Sequence, residues 1–497
     1  LRAAARRTHR SPRSLFHASN RLLLAHENRR GAHRAAYSPR IEPVAIDPRS
    51  SRVYQVALAL SVGVAFADSS IVVLALPELF LELDTTIPGV SWVVTAYNVA
   101  VVVGALVFLP FSRRVRPGVL GLAGISVFLA ASVACALATS LSFLVAGRVV
   151  QGLGAALLLG ASLPILVALT GERRRAVAVW VAAGTLGTAF GPALGGILTE
   201  AFDWRAIFAV QAPLAAVALA AALHPAVRTL PPPTERSAFR LPVGVGLGLA
   251  LVYAALVGAL FLSVLLIVTV WDYGPLAGAG IVSALPIAAL AAAPLSRRLS
   301  APLDVAGGCG LLAAGLVALA LLPASDPAYA VPALALAGAG LGLALPPLTR
   351  ASLPPEGDLT REGGVSVGVR HLGLVVGLVL VAPLLAGELD DAADTATTNA
   401  TAVILDGKLP LTEKIPIALD LYREFQRVPK GEVPDLAAPF DERGALENTD
   451  VREARDSLLD AVQAVLTRAF RSSFLLSALF AVLAAAAAFL SRRRIPA

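Results

Sequence analysis

Asp68 and Arg148 are the residues whose chemistry stands out, because each is a full charge set inside a long apolar run. A charge in such surroundings is costly and tends to face the interior of a helical bundle. Two roles fit the pair. A permanent ion pair, with Ser69 and Ser70 beside it, would fasten helices together. A carboxylate neutralised in turn by Arg148 and by a proton would carry protons, because separating it from a cation in apolar surroundings favours proton uptake. Arg370 and His371, in a later run, suit either contact with lipid headgroups and loop acids or a gate. Gly184, Gly187, Gly191, Gly195 and Gly196 line one segment with small residues, which allows close helix packing and also an interface that slides or bends. The one hydrolase-like pattern, Gly364-Val-Ser366-Val-Gly368, opens an apolar helix instead of a strand-to-helix turn. His371 stands five positions on from Ser366, turned away from it, so no nucleophile and base pair forms. No Walker motif and no metal-ligand spacing occur, so neither cofactor nor ATP is expected.

These residues need elements that can hold them in one layer. The chain has 497 residues, of which 57% are hydrophobic and only 15% charged, with a mean hydropathy of +0.74. That excludes a soluble enzyme, a fibrous protein and a disulfide-stapled domain; Cys135 and Cys309 read as small buried hydrophobes. The apolar residues fall into twelve segments, at 54–77, 91–110, 117–138, 142–166, 176–198, 205–223, 242–271, 275–295, 303–323, 329–349, 364–386 and 472–490. Each is about the ~20 residues that a helix needs to cross a hydrocarbon core. The net charge of +7 is uneven, so it points to no nucleic-acid partner. Arginines alternate across the connections instead. They gather after even-numbered segments, as Arg113, Arg114 and Arg116, then Arg173 to Arg175, and are almost missing after odd-numbered ones. By the positive-inside rule both termini face the cytoplasm.

The fold class expected is therefore an all-α polytopic membrane protein, with twelve transmembrane helices in two six-helix halves around a shared path. The halves are 53–223 and 242–387 with 471–491, joined by a central cytoplasmic linker, 224–241. Residues 1–52, with 12 Arg against 3 acids, read as a disordered cytoplasmic tail, and 492–497 form a second. Segment 388–470 holds 17 of the 34 acidic residues and faces outward as a partly helical acidic loop. Within it Val451, Ala454, Leu458, Leu459, Val462, Val465 and Leu466 recur at helical spacing. Trp92, Trp204 and Trp271, near segment ends, read as interfacial belt residues.

Rise per residue gives depth. Asp68 lies about 21 Å from the cytoplasmic end of the first span, and Arg148, near the outer end of the fourth, lies about as deep. Asn98, Gln211 and the Gly191-Pro192 bend fall within roughly one helical turn of that level. Five helices thus converge on one layer.

The chain resembles the major facilitator superfamily, in its drug:proton antiporter branch. The resemblance rests on Asp68-Ser-Ser-Ile-Val-Val-Leu-Ala-Leu-Pro77 with Trp92-Val-Val-Thr-Ala-Tyr97, on Arg148-Val-Val-Gln151-Gly152-Leu-Gly154, and on Gly187-Thr-Ala-Phe-Gly191-Pro192-Ala-Leu-Gly195-Gly196. Matches are dense over about 55–215 and only general beyond 240. The loop Ser112-Arg113-Arg114-Val115-Arg116-Pro117 lacks the acid that the family pattern carries there. The resemblance implies proton-coupled export of an amphipathic or drug-like small molecule, a cation being one form, by alternating access in the cell membrane. It makes Asp68 and Arg148 the proton-coupling residues and places Tyr97, Asn98, Gln151 and Gln211 on the substrate cavity. Gly187, Gly191, Pro192, Gly195 and Gly196 become the conformational motif, and Arg113, Arg114, Arg116, Arg370 and His371 gate candidates. Protons, membrane lipids and the transported molecule are the expected partners, with an envelope partner at 388–470 a further one. Two alternatives stay open: export of a specific endogenous lipid, siderophore or metabolite, and a non-transporting scaffold or sensor acting through the outer loop.

Overall fold

An apolar run in hydrocarbon must satisfy its backbone internally, and a chain without strand alternation does so as helix. The computed structural model describes residues 48–109, 115–228, 230–232, 241–297, 301–353, 358–406, 410–427, 440 and 449–490. Among these residues regular structure is helical throughout. The helices are α1 (Pro48–Ile71), α2 (Leu76–Glu82), α3 (Ile87–Val103), α4 (Pro117–Ala136), α5 (Leu141–Thr170), α6 (Arg173–Ala201), α7 (Arg205–Ala222), α8 (Pro225–Arg228), α9 (Val243–Val264), α10 (Pro275–Val282), α11 (Ala284–Ala292), α12 (Ala301–Ala320), α13 (Pro327–Ala351), α14 (Leu359–Asp406), α15 (Leu411–Arg427), α16 (Thr449–Ala469) and α17 (Arg471–Leu490). A 3-10 turn, Val72–Ala75, joins α1 to α2, and π turns extend α3 over Gly104–Phe108 and α9 over Leu265–Val270.

Local chemistry sets the ends. Thr86 caps α3 by accepting from the Gly89 N–H at 3.1 Å, and Ser140 and Asp326 cap α5 and α13 in the same way. Gly171 closes α5 in the left-handed conformation, φ 71°, which a side chain would strain.

Among the described residues ten helices are long and apolar enough to cross a membrane, and the bent α6 makes an eleventh. The expected sixth span is α7, whose apolar stretch, Arg205–Ala220, is shorter than the rest. α6 bends by 42° between Arg173–Thr188 and Phe190–Ala201. Pro192 has no N–H to give the carbonyl four residues back, which is that of Thr188. Ser70 Oγ of α1 comes within 3.3 Å of it, sharing its one proton with the nearer Ala67 carbonyl at 3.0 Å.

Early and late helices meet at two levels. Gly196 of α6 lies against Pro275 and Ala279 of α10. Toward the other ends, Gly364 and Gly368 of α14 lie against Ala105, Leu106 and Leu109.

The acidic segment is more regular than a loop. α14 runs through the eleventh span and on to Asp406 as one 48-residue helix. α16 buries Val451, Leu458, Val462, Val465 and Leu466, the face that the spacing marked, and packs on α14. That face is thus covered by the chain itself. Two of the three expected belt tryptophans are corrected. Trp92 is exposed, but Trp204 and Trp271 are buried because their indole N–H groups find partners in Glu82 and in Thr467 Oγ1, the latter at 3.0 Å. Arg113 and Arg114, residues 1–47 and residues 491–497 lie outside the described residues; Arg116 is exposed at the start of α4.

Candidate functional site

Residues three apart on a helix share a face, so α5 presents Arg148 and Gln151 together. α1 brings Asp68 against them, α7 brings Gln211, and α4 brings Ser132. All five are fully buried or nearly so. Arg148 Nη1 is ion-paired with Asp68 Oδ2 and also donates to Gln151 Oε1 at 2.7 Å. Gln211 Nε2 donates to Asp68 Oδ1 at 2.6 Å. Gln151 Nε2 closes the ring, donating to Gln211 Oε1 at 2.8 Å and to Ser132 Oγ at 2.9 Å. Arg148 Nε donates to the Val93 carbonyl at 2.8 Å, and Nη2 to the Asp68 carbonyl at 3.3 Å. The guanidinium also lies over the Tyr97 ring, 4.4 Å from its centroid. Tyr97 is held by donating its hydroxyl to the Ala65 carbonyl at 2.6 Å.

The sequence thus placed Asp68, Arg148 and Gln211 in one layer correctly. Asn98, expected in the same layer, accepts from Ser69 Oγ at 3.1 Å and donates to the Val94 carbonyl at 2.8 Å, outside this ring. Ser132 was missed, since serine costs little in an apolar helix and carries no signal of depth. Such a network stands only because its lone pairs and protons are matched. Gln151→Leu removes one acceptor from Arg148 and a donor from both Gln211 and Ser132. It is expected to cost about 1–3 kcal/mol, read as a lower unfolding midpoint in detergent. An unchanged midpoint would mean that the ring does not hold the helices.

A separate cavity of about 50 Å³ lies among α6, α9, α11, α13 and α14, with Thr185, Thr188, Tyr253, Leu285, Leu345 and Arg370 on its walls. The space is below the roughly 300–1,000 Å³ of a drug-sized site, so a ligand of that size enters only as these helices move. Tyr97, Gln151 and Gln211, expected on the cavity, are instead buried against the ion pair, and Asn98 is buried beside Ser69; none of the four is on the cavity's walls. Arg370 and His371 are 3% and 1% exposed, which removes contact with headgroups as their role. Ser366 pairs with Ser352 Oγ at 2.7 Å, while His371 Nδ1 faces the Val367 carbonyl at 2.9 Å, so no hydrolase pair forms.

The glycines of α6 divide between two neighbours. A Cβ on Gly187, Gly191 or Gly195 would strike the Gly63 carbonyl, Ser70 Oγ or the Ile71 carbonyl of the α1 region. Gly196 turns to α10. Beyond the end of the first span, Glu82 binds Arg205 at 2.8 Å and the Trp204 indole, an arrangement that the sequence did not signal. The Arg205 hydrogen bond holds the Glu82 carboxyl below its usual range.

A family profile described as Major Facilitator Superfamily matches residues 58–354. Multidrug resistance protein Stp of Mycobacterium tuberculosis is 35% identical over 179 residues, covering 34% of this chain and 32% of its own length. Methylenomycin A resistance protein of Streptomyces coelicolor is 34% identical over 167 residues, covering 33% of this chain and 35% of its own length. Drug efflux pump JefA of Mycobacterium tuberculosis is 35% identical over 173 residues, with 33% of each chain covered. The matching stretch thus spans about a third of the length of these relatives. A crystal structure of a bacterial homologue of the human lysosomal transporter Spinster, inward-facing and unoccupied, superposes with a TM-score of 0.58 at 17% identity. It covers 90% of this chain and 97% of that one, a likeness of fold.

Proposed function

The chain belongs to the Major Facilitator Superfamily, and from that premise we propose that it is a secondary transporter exporting an amphipathic, drug-like small molecule in exchange for protons. The single observation that carries the coupling is the buried Asp68–Arg148 pair, ringed by Gln151, Gln211 and Ser132 and set beside the bent α6. Pulling the pair apart leaves two uncompensated charges in a low-dielectric interior, which costs several kcal/mol per ion. A proton on Asp68 removes one of those charges, so helix movement that separates α1 from α5 becomes accessible when the proton arrives. The reverse movement expels it. The named relatives, a multidrug resistance protein and a drug efflux pump, support small-molecule export as the work done.

The protein sits as a multi-pass protein in the cell membrane, both termini in the cytoplasm, as the arginine alternation favours. The two six-helix halves, 53–223 and 242–387 with 471–491, rock about the cavity between them, with lipids as surrounding partners.

Purified protein in liposomes holding an internal pH dye tests the coupling. Under an imposed pH gradient, a panel of anionic, neutral and cationic amphiphiles is expected to contain compounds that accelerate proton movement. A compound that is transported without moving protons would remove the coupling and leave a uniporter.

A further inference from the structure

We propose that the transported molecule carries an anionic group, such as a carboxylate or sulfonate, on an apolar or aromatic body, and that Arg370 binds it in the cavity. This deepens the export reading and rests on the cavity being the site of the transported molecule.

Arg370 on α14 is a fixed cation, 3% exposed, on a cavity wall. Its Nε and Nη2 make no hydrogen bond among the described residues. What surrounds it is aromatic: the guanidinium carbon lies 5.1 Å from the Trp180 ring, 5.4 Å from Phe66 and 5.7 Å from Tyr253. Ring faces attract a cation but accept no strong hydrogen bonds, so the fork of donors stays unsatisfied. Arg148 shows the contrast, since each of its nitrogens has an acceptor. Both lie in the same kind of interior, and only one is complete.

The walls decide the sign of the ligand. None of the fourteen wall residues is Asp or Glu, and Arg370 is the one charged residue among them. A cationic ligand would meet a like charge with no counter-ion. Thr185 and Thr188 already donate their hydroxyl protons to the Val181 and Gly184 carbonyls, at 2.8 and 3.0 Å. Arg370 is therefore the charged donor on offer, with the Tyr253 and Thr349 hydroxyls on the same walls, and a planar, two-oxygen anion fits a guanidinium fork edge to edge. Leu256, Leu260, Leu285 and Leu345 supply apolar surface for the remainder.

Full-length protein in zwitterionic nanodiscs, with empty discs as the blank, is offered three probes of one shape: 1-naphthylacetate, the neutral 1-naphthylacetamide and 2-(1-naphthyl)ethylammonium. Equilibrium dialysis is expected to show the anion binding at least tenfold more tightly than the other two. Arg370→Gln is expected to lose that tenfold, and Arg370→Lys, which keeps the charge but not the fork, to retain part of it. An anion that binds no more tightly than the amide and the ammonium overturns the proposal on the wild type alone, whether or not a variant folds. Unchanged selectivity in both variants overturns it as well. Proton flux in liposomes is read separately. Flux driven by the ammonium probe alone, without anion selectivity, would end this inference and leave the export reading; anion-selective binding without flux would do the opposite.

Discussion

Asp68→Asn is expected to reduce substrate-dependent proton flux at least a hundredfold, the largest effect of any single side chain in the protein. Asparagine keeps the shape and loses the charge. In the wild type Asp68 Oδ2 receives Arg148 and Oδ1 receives Gln211 Nε2. In the variant one of those atoms becomes an amide donor, so either Arg148 or Gln211 faces a donor where it had an acceptor. Gln211 cannot simply turn over, because its Oε1 already accepts from Gln151 at 2.8 Å. Arg148 stays charged, fully buried and without its counter-ion. Breaking one partner of a buried pair typically costs about 3–5 kcal/mol, and thermal unfolding in detergent should register it. Stability and transport are then separable in the double variant. Asp68→Asn with Arg148→Gln removes both charges at once, and its unfolding midpoint should recover relative to the single variants. Its proton flux should not. Flux that persists in Asp68→Asn would show that the pair is a structural fastening only and that protons take another route.

How much of this layer could be read beforehand follows from what each residue costs in hydrocarbon. Asp68 and Arg148 are expensive, and 1.5 Å per residue is nearly invariant along a helix, so depth could be counted and a shared level inferred. The helices themselves were equally legible, because an apolar run has few other ways to satisfy its backbone. Ser132 is cheap anywhere and could not be singled out. The four residues expected on the cavity lie on α3, α5 and α7, none of which lines it, because sequence does not distinguish a polar side chain facing a hollow from one facing another side chain. Arg370 shows the same blindness in the other direction: a long side chain near a span end can snorkel to the interface, and only the packing of Phe66, Trp180 and Tyr253 around it shows that it does not. Trp204 was misread for a related reason. Its partner Glu82 lies 122 positions away, beyond the end of the first span.

The glycine ladder of α6 leads to the second large effect. Gly187→Ala and Gly191→Ala are each expected to destabilise the protein by about 1–3 kcal/mol and to lower transport more than tenfold. A methyl group at Gly187 would occupy the space of the Gly63 carbonyl, and one at Gly191 the space of Ser70 Oγ. In the first case the obstacle is backbone, which cannot rotate aside, so α1 and α6 must separate. That separation also draws Ser70 from the Thr188 carbonyl, the group left without its helical partner by Pro192. The expected sign is opposite to the ordinary one, because alanine in a helix interior is favoured over glycine by roughly 0.5–1 kcal/mol. Gly310→Ala supplies the ordinary case: it sits in α12 with open space where its Cβ would be. It should leave stability equal or higher and transport unchanged. Pro192→Ala separates fastening from bending. It returns an N–H to the Thr188 carbonyl and permits a straighter α6, so the unfolding midpoint should hold or rise while transport falls. If Gly187→Ala and Gly310→Ala behave alike in both measurements, close approach of α1 and α6 is not what the glycines are for. If Pro192→Ala transports normally, the 42° bend is a feature of packing and the moving interface lies elsewhere.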